Sequence, residues 1–385
     1  MITASETVIG GSDANPLDPR LFRQVYGNGT QYIGIETSDA LVTPLVSGVT
    51  SAPNPVLTSV WTGSFTFNTE FFGTMAFSPN SFPTGLTQGI WRTHDSNTRW
   101  SDIETSQGVY NQTNLGYLDY IVSKAQAVGS KIMYTVYKTP TWAAVGGVTN
   151  APPSSQTYLT NWINFLFARY GNAIKYWEGW NEPNIAGSFT GNIAALVQHQ
   201  NTMHTAVKAN NASAVVISPS FAMRTGISSD TLSMANFFTA GGAAYCDRIG
   251  YHFYKSFIAP TGLNGVRLDF DRGQIPLVVA QMASSGVSKP LSNTETGSST
   301  PTFNRLLENF IFSATACDMS LVYSWDSVGY DDMRLSLLGV SEWNRAVAFL
   351  NGKTMTAVNQ FGNGDFGVIL DGVGYLVSGL GNTNT

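Results

Sequence analysis

The sequence predicts an eight-stranded β/α barrel, a (β/α)8 TIM barrel of the α/β class, and two observations carry that prediction. From about Phe71 the chain alternates short apolar runs with segments of helical period, the pattern of repeated β/α units. Eight such runs can be counted, and eight parallel strands with helices between them close as a barrel. The length of 385 residues leaves room for two or three average domains, yet also holds one barrel of roughly 250 residues with additions.

The runs read as strands are 71–77, 89–93, 131–136, 174–180, 215–219, 248–252, 289–294 and 320–325. Between them, Leu115, Leu118, Val122, Ala125 and Val128 recur at helical steps, with Gly129 placed to cap. Leu159, Ile163, Leu166 and Tyr170 repeat the pattern up to Gly171. Ile193, Leu196, Gln200, Met203 and Val207 do so again before Asn210 and Asn211. Further helices are expected over 232–240, 275–285, 303–316 and 341–350. One connection departs from the scheme: residues 78–88 hold two prolines and too few positions for a helix, so that unit reduces to a loop. An open doubly wound sheet is the alternative, but no Gly-rich dinucleotide fingerprint follows an early strand.

The flanks read differently. Residues 1–70 are rich in Gly, Ser, Thr and Pro without helical period, which predicts an N-terminal extended or β-rich arm, either packed on the barrel or serving attachment. Residues 71–354 form the barrel, and 355–385, with alternation in 366–370 and 374–377, form a short C-terminal β segment of one or two strands.

Composition excludes several function classes. Charged residues make 12% of the chain against about 25% in typical domains, and the net charge is −5. A nucleic-acid binder would need a basic surface. No stretch approaches the ~20 apolar residues of a membrane helix. The first residues lack a cationic start and an apolar core, so no secretory signal is visible, and localisation stays open between compartments, extracellular and virion-associated action included. Two cysteines, Cys246 and Cys317, cannot make a disulfide framework and read as buried thiols before a bridge. His199 and His204 are five apart and share no helix face, and zinc strings are missing; no metal or nucleotide cofactor is implied.

Catalysis in such barrels is sought at the C-terminal strand ends. Strand four ends in Trp180-Asn181-Glu182-Pro183-Asn184, strand seven in Glu295-Thr296-Gly297, and strand six in Tyr251-His252-Phe253-Tyr254. Strands four and seven oppose each other, so Glu182 and Glu295 would face across the mouth. Two carboxyls about 5–5.5 Å apart are what retaining glycoside hydrolysis requires. Glu178 lies inside its strand and reads as structural. His94, Asp95, Trp100 and Trp142 fit either a cleft or a packing role.

At these residues the sequence resembles clan A retaining glycoside hydrolases, and among them glycoside hydrolase family 39 with its bacterial exopolysaccharide-cleaving endoglycosidases. The resemblance runs from Phe71 to about Thr354 and includes Gly89-Ile90-Trp91-Arg92, Thr98 to Glu104, Thr139 to Ala143, and Tyr245 to His252. It implies a (β/α)8 barrel in which Glu182 is the acid/base and Glu295 the nucleophile, kept ionised by hydrogen bonds and a cation. It further implies that Arg92 stands beside the nucleophile, Asn181 contacts a sugar hydroxyl, Tyr254 with His252 sits near the nucleophile, and Trp325 floors the sugar. Trp142 joins the substrate-binding candidates. The implied partner is a polysaccharide or oligosaccharide, cut within the chain; oligomeric state is open. A rival expectation is a catalytically weak carbohydrate-binding or virion-attached structural protein on the same barrel.

Overall fold

The computed structural model describes residues 7–9, 21–25, 31–35, 58–87, 89–222, 232–254, 256–258, 267–269, 274–297, 301–327, 333–360 and 366–377. Eight parallel strands follow one another in chain order: β1 (Phe72–Thr74), β2 (Ile90–Thr93), β3 (Lys131–Thr135) and β4 (Ile174–Glu178), then β5 (Val215–Ile217, resuming at Phe221–Ala222), β6 (Ile249–Tyr254), β7 (Leu291–Gly297) and β8 (Cys317–Val322). β8 pairs back onto β1, and β5 closes the ring. The first part of β5 pairs with β4 and the second with β6. Pro219, which lacks an N–H, lies at the break, where single bridges from Ile217 to Arg248 and from Asn181 to Ser220 carry the sheet across.

The expected helices are present as α1 (Gln112–Ala127), α2 (Gln156–Tyr170), α3 (Ile193–Asn210), α4 (Met234–Thr239), α5 (Ile275–Ser284), α6 (Phe303–Ser313) and α7 (Val340–Leu350). Their ends follow local chemistry. The Asn111 side chain accepts from the N–H groups of Thr113 and Asn114, and Asn192, Ser233 and Thr302 cap α3, α4 and α6 in the same way. Gly171 ends α2 at φ 54°, a conformation costly for a residue with a Cβ. Residues 78–87 carry no helix, as their prolines require.

Strand alternation sorts the core into two shells. Inside the barrel lie Met75, Ile90, Met133, Tyr176, Ile217, Met319 and Leu321. Their chain neighbours Trp91, Ile132, Trp177 and Val216 point outward into the larger core beneath the helices. Two residues beyond Ile90, Met133 and Tyr176 come Arg92, Thr135 and Glu178, which therefore face inward one layer nearer the mouth. A polar layer rests on an apolar plug.

The flanks join. Strands 7–9, 21–25, 31–35, 373–377, 366–370, 354–360 and 58–66 form one sheet in that order. Thr354–Gln360 pairs antiparallel with Thr58–Thr66, while Val373–Val377 runs parallel to Gln31–Ile35. The C-terminal segment holds three strands where one or two were expected, because 354–360 has no strict alternation to announce it. Cys246 and Cys317 are free, buried thiols, and no helix of the described residues is long and apolar enough to cross a membrane.

His199 on α3 is fully buried beside Trp180, with its ring 5.3 Å from the indole and neither nitrogen hydrogen-bonded among the described residues. Burial pushes its pKa down to about 4 from the ordinary 6.5. The unfolded chain therefore binds this proton more readily, so stability falls as pH drops from 6.5 toward 4, by up to about 3 kcal/mol. Urea unfolding at pH 7 and pH 4.5 should show that loss, and His199→Phe should remove most of it; an unchanged pH dependence in the variant would contradict the assignment.

Candidate active site

The polar layer at the mouth is organised by one cation. Arg92 at the end of β2 is buried and forks three ways: Nε donates to Glu178 Oε2 at 2.7 Å, Nη1 to Glu295 Oε2 at 2.7 Å, and Nη2 to Asn181 Oδ1 at 2.6 Å. Glu178, on β4, also accepts from Thr135 Oγ1 at 2.6 Å and Ser220 Oγ at 2.5 Å. Ser220 in turn lies 2.9 Å from Thr294 Oγ1 on β7. Strands β2, β3, β4, β5 and β7 are thus cross-tied through side chains.

Glu182 lies just past β4, with the chain turning sharply into it. Its φ of 45° is in the left-handed region, which costs a residue with a Cβ about 1–2 kcal/mol. The surrounding backbone holds it there: Glu182 N donates to Ser220 O at 2.8 Å, and Ile185 N donates to Glu182 O at 3.0 Å. The Asn184 side chain clamps Ala222 at both its N–H and its carbonyl, at 3.0 and 2.6 Å. Gly179 permits this close seating of β4 on β5, since a Cβ there would lie 2.7 Å from Pro219 N.

The two carboxylates meet around His252 on β6. Its Nδ1 is 2.9 Å from Glu182 Oε1 and 3.8 Å from Glu295 Oε2. One oxygen of each carboxylate and this nitrogen all lie within 4.8 Å of one another. Such a trio could accept a small cation, but Arg92 already neutralises Glu295 from the side. Tyr254 OH donates to Glu295 Oε1 at 2.5 Å, and Tyr254 O accepts from Gln274 Nε2 at 2.7 Å.

Burial alone would raise the Glu295 pKa, but the fields of His252, Arg92 and His94 and the Tyr254 hydrogen bond pull it down to about 2. Burial likewise opposes ionisation of Glu178, and Arg92, His252, Ser220 and Thr135 reverse it, leaving its pKa lowered. The two anions in turn hold Arg92 charged against its own burial. Glu295 is an anion with one guanidinium shared between two carboxylates. Glu182 is bonded to His252 instead, so the pair stand in unlike environments.

Of the residues singled out from sequence, the structure brings Arg92, Asn181, Glu182, His252, Tyr254 and Glu295 into one cluster. Trp325 lies just past the end of β8, half-buried, its backbone N–H donating to Met75 O at 2.8 Å. Trp142 makes its contacts elsewhere: its Nε1 donates to Glu104 O at 3.0 Å and its ring meets Tyr158 edge-on. Sequence reading gave Glu178 a structural role inside its strand, and the structure adds its bond to Arg92 in this cluster. His94 was left open; its ring stacks on Tyr137 with centroids 4.9 Å apart and helps hold Glu295 ionised. Its neighbour Asp95 accepts from Tyr323 OH at 2.7 Å and pairs with Arg99, tying the end of β2 to β8.

No family model and no curated protein matches the sequence. Solved structures do. A family 39 glycoside hydrolase from Bacteroides cellulosilyticus matches at 17% identity over 78% of this chain and 70% of its own, with a TM-score of 0.55. A family 39 enzyme from Xanthomonas axonopodis pv. citri matches at 16% identity, covering 77% and 72%, with a TM-score of 0.52. A glucosidase from Croceicoccus marinus does so at 13% identity, covering 80% and 72%, with a TM-score of 0.53. The chain has the barrel fold of these glycoside hydrolases.

Tyr254→Phe removes a charge-assisted hydrogen bond worth about 1.5–3 kcal/mol, so Glu295 should take up its proton at higher pH, as a carbon-13 titration of the carboxyl would show. Arg92→Gln leaves two buried carboxylates without their counter-charge and should destabilise the fold by about 3–5 kcal/mol in urea unfolding. A Glu295 titration that stays put in Tyr254→Phe would contradict the account of its charge.

Proposed function

We propose that this protein is a retaining glycoside hydrolase that cuts within a polysaccharide chain by double displacement. The observation that carries the reading is the facing pair Glu182 and Glu295, with carboxylate oxygens within 4.8 Å, one of them held anionic by Arg92 and Tyr254. In the first step Glu295 attacks the anomeric carbon while Glu182 gives its proton to the departing glycosidic oxygen. A glycosyl–Glu295 ester results. In the second step Glu182 takes a proton from water, whose oxygen attacks the same carbon and releases Glu295. Configuration is inverted twice and so retained.

The unlike surroundings of the two acids support these roles. Glu295 needs to be ionised before substrate arrives, and its hydrogen-bond donors serve that end. Asn181, fixed by Arg92, is positioned to meet the sugar 2-hydroxyl, where hydrogen bonds strengthen in the oxocarbenium-like transition state. Trp325 offers an aromatic face to the C–H side of the sugar ring, and Trp142 would serve a more distant unit. Among the matching structures are a family 39 glycoside hydrolase and a glucosidase, which supports carbohydrate as the substrate class.

A reducing-sugar assay across a panel of defined plant, fungal and bacterial polysaccharides tests the activity. Glu295→Gln and Glu182→Gln should each lower kcat by about 10³-fold or more. Azide should rescue Glu295→Ala with an inverted glycosyl azide, and Glu182→Ala with a retained one. Near-normal turnover in either variant would overturn the roles, and release of monosaccharide alone would overturn cleavage within the chain.

A further inference from the structure

Phe77 is an unexplained aromatic at the same mouth. Its side chain is 54% exposed, whereas Met75 and Ala76 before it are buried. Met75 belongs to the inner shell, with its sulfur 3.5 Å from Arg92 Nη1, and Ala76 belongs to the outer core. Phe77 follows β1 at its C-terminal end, where the chain bends over the rim of the barrel mouth between the ends of β8 and β2.

The backbone that presents this ring is fixed from two sides. Asp326, the residue after Trp325, accepts from Phe77 N at 2.7 Å and Ser78 N at 3.1 Å, and from Ser81 Oγ at 2.6 Å. Across the loop, Ser96 N donates to Phe77 O at 3.1 Å, and Ser96 Oγ donates to Ala76 O at 2.7 Å. A large apolar ring left in water on a fixed backbone forgoes the stabilisation of burial. That placement is accounted for when a ligand covers the ring, and an aromatic face at this mouth suits the C–H face of a sugar.

We propose that Phe77 is a stacking platform for a second sugar unit of the bound glycan, adjoining the unit at the cleavage point. The platform rests on the glycosidase reading, since it presumes that the mouth takes a sugar chain. Asp326 is its positioning residue: it follows the residue expected to floor the reacting sugar and orients the loop that carries the neighbouring one. Spacing between the two sugar positions is thereby set by one carboxylate.

The test uses the full chain with Glu182→Gln to stop turnover, on an array of defined plant, fungal and bacterial oligosaccharides of two to eight units. Affinity should rise with chain length, and Phe77→Ala should reduce that rise by between about twofold and tenfold, with Phe77→Trp restoring it. Asp326→Ala should give part of the same loss. Binding whose length dependence is the same with and without Phe77 overturns the platform and leaves the glycosidase reading standing. Binding of no glycan by any variant overturns both.

Discussion

A guanidinium without access to water, bonded to two carboxylates and an amide, is the constraint on which the mouth of this barrel depends. Removing such ions from water is expensive, and the cost is offset only where geometry and further hydrogen bonds are complete. Arg92 meets that condition because Ser220 and Tyr254 satisfy the carboxylate oxygens it leaves over, while Thr135 adds a second bond to the Glu178 oxygen it shares. Its three partners come from β4, from the turn after β4, and from β7. A shift in any of these strands would break a charged contact in a medium of low dielectric, so the same network that sets the charge of Glu295 also fixes the relative position of the two acids. Rigidity and electrostatics here have one origin.

The barrel was legible in the sequence because its signals are local. Apolar runs of strand length, helical periodicity, and capping residues such as Gly171 and Asn192 each state their own conformation. The site was legible wherever residues sat at strand ends, as with Arg92, Glu182, His252, Tyr254 and Glu295. Glu178 was read as structural from its place inside the strand, but its partners were not legible, because they arise from inward alternation shared with Arg92 and Thr135, a relation among three strands far apart in sequence. Ser220 was hidden for the same reason, since only the break at Pro219 turns it toward Glu178. The tie between the flanking segments had no signal either, because strand partners at opposite ends of a chain leave no mark in local composition.

Glu182 shows how position and conformation combine. A carboxylate at a positive φ is placed by the backbone turn rather than by a long flexible side chain, and the turn is clamped by Asn184 on Ala222. Its tolerance to drift is consequently small. That suits a group whose proposed task is to give and take a proton at one fixed oxygen, since proton transfer falls off steeply with misplacement.

The sheet that unites the flanks bears on how the protein is made. Thr66 and Thr354 are hydrogen-bonded neighbours 288 positions apart in the chain. A nascent polypeptide emerging from the ribosome can form β/α units one after another, yet strand 58–66 has no partner on its 354–360 side until the whole barrel between them has been synthesised. Contacts of such long range are slow to form and leave an edge exposed meanwhile. The sheet beside the barrel therefore closes only after the barrel that separates its two halves along the chain.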